Sequence, residues 1–157
     1  MIKIVKIKDG DIKQAYQFCM RIFEELGWDK RFNYGLENLK EFFNGPREAF
    51  FLAKKGKEII GCGGLKELSE DKGLMKRLYV AKDFRGKGVA SLIFKIIRGF
   101  AEEQNYKVIF LDTFQNNFRA KRFYEKNGFK PFNPKPDKKW KESEHADLFE
   151  FRKLKLK

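Results

Sequence analysis

One stretch constrains this chain more than any other: LMKRLYVAKDFRGKGVAS, from Leu74 to Ser91. Leu74 to Val80 is rich in β-formers and partly alternates, which predicts a strand. From Val89 onward, apolar residues fall at Val89, Leu92, Ile93, Ile96, Ile97 and Phe100, the stripe of a helix with one buried face. Between them lies a basic turn. Gly86 and Gly88 allow backbone conformations that a Cβ forbids and let a ligand come close. Free amides at a helix start, together with the positive end of the helix dipole, form an anion site. Arg85 and Lys87 add positive charge, so the turn is expected to seat a diphosphate.

The rest of the chain reads as a frame for that unit. Ile2, Ile4 and Ile7 predict a first strand, and Asp9 or Asp11 is placed to cap the helix that follows. Ala15, Phe18, Cys19, Ile22, Phe23 and Leu26 form that helix's apolar stripe, and Gly27 stops it. Trp28 to Gly35 has no period and reads as a loop, followed by a short helix around Leu36 to Phe43. Ala49 to Ala53 is a second strand, which a turn at Lys54-Lys55-Gly56-Lys57 connects to a third from Glu58 to Leu65. Gly61, Gly63 and Gly64 mark a bulge or a close backbone approach there. Strands two to four form an antiparallel meander. Lys107 to Phe114 centres on the apolar run Val108 to Leu111 and reads as a strand buried on both faces. Strand, crossover helix and strand together imply a parallel central pair. A helix from about Asn117 to Lys126 ends at Asn127-Gly128. Pro131, Pro134 and Pro136 then make an irregular basic loop, and Asp147 to Leu154 alternates as the last strand.

Composition narrows the function. A chain of 157 residues with 42% hydrophobic residues suits one domain with a real core. No apolar run reaches the roughly 18 residues of a membrane span. The alternating start, MIKIVKIK, reads as an amphipathic strand rather than a signal peptide, so the expected location is the cytoplasm. Two cysteines and a single histidine exclude a zinc cluster or a disulfide framework. Cys62 reads as a small buried hydrophobe. The net charge of +13 and pI near 9.7 invite a nucleic-acid partner, but a polyanionic small ligand accounts for the charge equally well. Nucleic acid and membrane are therefore not the expected partners, and a homodimer is compatible with the sequence.

Two segments carry a resemblance to a known family. Arg85-Gly86-Lys87-Gly88-Val89-Ala90 is similar to the (Gln/Arg)-x-x-Gly-x-(Gly/Ala) signature of the Gcn5-related N-acetyltransferases, the GNATs. Asn117-Phe118-Arg119-Ala120-Lys121-Arg122-Phe123-Tyr124-Glu125-Lys126-Asn127-Gly128-Phe129 resembles that family's Asn-x-x-Ala-x-x-(Leu/Phe)-Tyr-Glu-Lys-x-Gly-Phe segment. The resemblance implies an α+β fold over residues 1–157, with a central mixed, mostly antiparallel sheet of about six to seven strands flanked by four helices. It implies acetyl-coenzyme A as cofactor and an amine as acceptor. The pantetheine arm would lie along Leu78, Tyr79 and Val80, with the amide of Leu78 polarising the thioester carbonyl. Arg85, Gly86, Lys87, Gly88, Val89, Ala90 and Ser91 would hold the pyrophosphate. Asn117, Ala120 and Tyr124 are spaced i, i+3, i+7 and share one helix face. A phenol with a reference pKa near 10 is protonated at neutral pH and can donate a proton. The resemblance gives Tyr124 the leaving thiolate and Asn117 a hydrogen bond to the cofactor arm.

That family commonly carries a glutamate early in its fourth strand, where this chain has Gly73-Leu74-Met75. Glu67 and Glu70, on the preceding strand and turn, either substitute as general base through water or are ordinary surface carboxylates. The family's acceptor pocket corresponds to Trp28 to Tyr34 and Pro131 to Ala146 here. Trp28, Phe32 and Tyr34 either wall a pocket or cap the core. Glu142, Glu144 and Asp147 either attract a cationic amine or belong to a solvated charged loop.

Two other phosphate-binding classes fit poorly. Gly86-Lys87-Gly88-Val89-Ala90-Ser91 lacks the third glycine of a dinucleotide fingerprint, and no Gly-x-x-x-x-Gly-Lys-(Ser/Thr) is present. The non-enzyme alternative is a basic nucleic-acid module on an inactive acetyltransferase scaffold, which predicts binding that weakens steeply with salt.

Overall fold

The computed structural model describes residues 1–157. Seven strands form one sheet in the order β1-β2-β3-β4-β5-β7-β6: β1 (Ile2–Lys6), β2 (Ala49–Lys55), β3 (Glu58–Glu67), β4 (Lys72–Val80), β5 (Val108–Phe114), β6 (Lys130–Pro131) and β7 (Phe149–Lys155). Four α-helices accompany it: α1 (Ile12–Leu26), α2 (Leu39–Phe42), α3 (Val89–Glu103) and α4 (Phe118–Lys126). β1, β2 and β3 pair antiparallel, β4 with β5 parallel, and β7 antiparallel with both β5 and β6. The expected mixed α+β sheet is present. No helix is long and apolar enough to cross a membrane. The chain divides into two compact units, Met1–Lys66 with Met75–Phe100, and Glu67–Leu74 with Ala101–Lys157.

In the first unit, β3 carries three glycines where helix and strand come close. A Cβ on Gly61 would stand 2.9 Å from Ile93 Cδ1, and one on Gly63 would stand 3.0 Å from Ile97 Cδ1. A bare strand lets a single row of α3 sink in: Val89, Ile93 and Ile97 are fully buried. This corrects the broader stripe expected from sequence. Leu92 and Ile96 are 46% and 41% exposed, because residues one step back along the helix turn about 100° away from that row. A bulge sets Ile60 outside the β2–β3 register, with Ala53 opposite Gly61 and Lys54 opposite Ile59. α1 buries Ala15, Phe18, Cys19, Ile22 and Phe23, and Gly27 ends it at φ 67° as expected.

Three local expectations are corrected in this unit. Asp11 sits at the N-cap of α1 without bonding the helix: its carboxylate accepts from the Lys8 amide at 3.0 Å and from Lys54 Nζ at 2.6 Å. The helix expected over Leu36 to Phe43 is a 3-10 turn, Leu36–Asn38, followed by the single turn of α2, because Asn38 caps at that point by accepting from the Glu41 amide. Within the loop expected from Trp28 to Gly35, Lys30–Phe32 forms a 3-10 turn that Asp29 caps.

The second unit is built on β5, β7 and β6 with α4. β5 is not buried on both faces as its apolar run suggested. Ile109, Leu111 and Thr113 are buried, while Val108, Phe110, Asp112 and Phe114 are half-buried. The open face of β5 is covered by an irregular loop, where Phe110 meets Phe132 and Trp140 at 4.7 and 5.9 Å between ring centres. Trp140 is fixed there by its indole N–H, which donates to Asp112 Oδ2 at 2.7 Å. The buried Arg152 donates to the Phe129 carbonyl at 3.0 Å and pairs with Glu150.

Candidate functional site

The glycine turn begins with a 3-10 turn, Lys82–Phe84, that returns the chain from the end of β4. Gly86 and Gly88 then adopt φ 75° and 84°, and nothing lies within 4 Å of where a Cβ on either would sit. The first hydrogen bond of α3 runs from the Leu92 amide to the Gly88 carbonyl at 3.1 Å. The amides of Val89, Ala90 and Ser91 therefore precede the helical ladder and have no acceptor within it. An open, glycine-flanked helix start with a positive dipole end suits an anion. Gly86, Lys87, Gly88 and Ser91 are exposed, Ala90 is half-buried, and only Val89 is committed to the core.

Arg85 is engaged within the protein itself. Its Nε donates to the Val80 carbonyl at 2.9 Å, and its two terminal nitrogens grip Glu25 at 2.5 and 2.9 Å. The guanidinium thus ties the end of β4 and the last turn of α1 to the turn, in the fork geometry that suits arginine. Further positive charge beside the turn comes from Lys87 and Lys55, whose ammonium groups lie 5.7 and 5.5 Å from the Phe84 ring centre. Glu25 and Lys55 were not found by sequence reasoning. No local pattern connects them to a motif so distant in the chain.

Upstream, β4 changes character at Arg77, which has φ 62° inside the strand. A left-handed conformation costs a residue with a Cβ about 1–2 kcal/mol, so surrounding contacts must hold it. Cys62 Sγ–H donates to its carbonyl at 3.2 Å, and its guanidinium donates to the Tyr34 carbonyl at 2.7 Å and to the Tyr79 hydroxyl at 3.3 Å. The same group lies 5.0 Å from the Tyr34 ring centre. Past this residue Leu78, Tyr79 and Val80 are only half-buried. Burial raises the Tyr79 hydroxyl well above an ordinary phenol, against the opposing pull of Arg77. Burial likewise pushes the Cys62 thiol up; its sulfur lies 3.8 Å from that of Cys19, and both are sealed in the core.

On α4, Asn117 is the N-cap, its Oδ1 accepting from the Ala120 amide at 3.3 Å. Tyr124 lies on the same helix and is buried to 7%, its ring edge-on to Phe123 and Phe129 at 5.7 Å each. Of the aromatic residues between the first two helices, Phe32 is core. Trp28 stays half-buried, edge-on to Phe23 at 5.2 Å and 5.4 Å from Tyr79, and Tyr34 packs against Phe42. In the late loop, Glu142 is buried whereas Glu144 and Asp147 are exposed.

Residues 19–129 match the model of the acetyltransferase (GNAT) family. The chain belongs to that family. It is thereby an acyl-coenzyme A-dependent N-acetyltransferase in class. An uncharacterised N-acetyltransferase of Bacillus subtilis, YsnE, is 35% identical over 105 residues, which cover 66% of this chain and 67% of that protein. A GNAT-family acetyltransferase from Staphylococcus aureus has the same fold, with a TM-score of 0.85 at 23% identity over all of both chains. The PaiA N-acetyltransferase of Thermoplasma acidophilum, solved in complex with coenzyme A, has a TM-score of 0.76 at 18% identity over 99% of each chain.

Proposed function

We propose that this enzyme moves the acetyl group of acetyl-coenzyme A onto a primary amine of a small molecule, peptide or protein, by direct attack in a ternary complex. The observation that carries this reading is the open amide turn at the head of α3, where two left-handed glycines leave room for a diphosphate. Gly86 to Ser91 hold the diphosphate by backbone N–H groups, with Lys87 neutralising it. Arg85 keeps the turn in place through Glu25 and Val80. The cofactor, when bound, supplies an activated thioester.

Leu78, Tyr79 and Val80 receive the pantetheine arm, and the Leu78 amide stabilises the charge that develops on the carbonyl oxygen. A carbon–nitrogen bond to the amine forms as the carbon–sulfur bond breaks. Tyr124 gives its phenolic proton to the departing thiolate, and the amide side of Asn117 orients the arm. The amine's proton passes through water to Glu67 or Glu70, since Gly73-Leu74-Met75 offers no carboxylate.

The test is to incubate the protein with acetyl-coenzyme A and a panel of amines, peptides and polyamines and to follow free thiol. Thiol release that depends on one class of amine is expected. Absence of coenzyme A binding, together with tight, steeply salt-dependent DNA or RNA binding, would support the inactive-scaffold reading instead.

A further inference from the structure

A second recess lies within the other unit, on the half-open face of β5, with a volume of about 290 Å³. Its floor is aromatic: Phe110 lies nearly parallel to Trp140, at 23° between planes, and Phe132 leans on Phe110 at 4.7 Å. Pro134 and Pro136 wall it. Prolines and aromatic faces form a flat, rigid slot that costs little conformational entropy to fill.

The rim is positive. Lys72, the first residue of β4, lines the recess and holds its ammonium 5.9 Å from the Phe110 ring centre. Lys135 lines it from the loop, and Lys153 Nζ stands 5.1 Å from the centre of Phe132. The one carboxylate in the lining, Asp137, already accepts from the Lys139 amide at 2.8 Å. The ammonium groups of Lys72 and Lys153 over the Phe110 and Phe132 rings, with Lys135 in the lining, are opposed by one engaged carboxylate and select for a flat ring that carries negative charge.

We propose that this recess binds a small planar aromatic anion, its ring on Phe110 and Phe132 and its carboxylate or phosphate between Lys72 and Lys135. The recess uses no residue of the glycine turn, although its walls belong to the late loop, Pro131 to Ala146, that the family resemblance sets beside the acceptor.

The test is a titration of the isotope-labelled full chain, followed by NMR. The probes are 2-naphthoate and adenosine monophosphate, which offer the two kinds of anion, with neutral naphthalene-2-methanol and saturated cyclohexanecarboxylate as controls. Saturable shifts at Lys72, Phe110, Phe132 and the Trp140 indole are expected for at least one aromatic anion. Its affinity should exceed that of each control, and that of the K72E/K135E double variant, by about tenfold or more. Whichever probe binds tighter identifies the anion. Both lysines are exposed, so the variant should keep its fold and its response to coenzyme A. Failure of both anions to saturate by about 10 mM, or equal binding by the variant, overturns the proposal. Loss of coenzyme A binding by the unmodified chain instead bears only on the acetyl-transfer reading.

Discussion

A single hydroxyl separates tyrosine from phenylalanine, and at position 124 that difference is expected to fall on chemistry rather than stability. The Tyr124 ring is held by Phe123 and Phe129, contacts that phenylalanine keeps. Tyr124→Phe should slow turnover by about ten- to ten-thousand-fold, the range for losing a general acid, with a melting temperature close to the parent's. Unchanged turnover would remove the acid role. Asp11 shows the opposite case, a polar group whose work is structural. Burial acts to raise its pKa, but Lys54 and the Lys8 amide outweigh that and hold it below the ordinary carboxylate value. A depressed folded-state pKa contributes stability above the unfolded value, near 3.9, and loses it as pH falls through the folded one. Asp11→Asn should therefore cost about 1–2 kcal/mol at pH 7. Chemical denaturation of parent and variant should give converging stabilities below about pH 3.

Elements here are shaped by where a side chain is missing. Gly88 and Gly99 both have empty space around them, yet they differ in backbone: Gly88 has φ 84°, whereas Gly99 lies inside α3. Gly99→Ala should stabilise the protein by about 0.5–1 kcal/mol by restricting the unfolded chain. Gly88→Ala should cost about 1–2 kcal/mol through the left-handed penalty. On the proposed function it should also weaken coenzyme A by about tenfold, as read by calorimetry. Equal effects at the two positions would mean that the turn's conformation does not matter. The same logic explains α3 itself. Its burial follows the glycines of β3 rather than its own apolar count, which is why Leu92 and Ile96 remain outside.

At the scale of the molecule, a charge of +13 gives two ligand classes different salt signatures. Acetyl-coenzyme A at about 100 times its dissociation constant should raise stability by about 2.7 kcal/mol, read as a shift in thermal unfolding. That shift should decline gently with salt, since only a few phosphate charges are met. A nucleic-acid complex making several phosphate contacts would lose about a thousandfold or more between 50 and 200 mM salt.

Much was legible in the residues alone. Alternation and helical period placed the sheet, α1, α3 and α4 close to their observed limits, because those patterns are local. The glycine turn and the Asn117 segment identified the family, because close approach to a phosphate requires specific residue types at fixed spacing. What sequence could not supply was decided across distance. The clamp of Glu25 on Arg85 joins residues 60 apart. The left-handed Arg77 is held by Tyr79 two residues on, and by Cys62 and Tyr34, which no local pattern connects to it. The open face of β5 depends on a loop whose prolines have no period. Local patterns fix which elements form, since backbone hydrogen bonding and side-chain spacing act over a few residues; which charges are engaged and which faces stay open is fixed only when distant side chains meet.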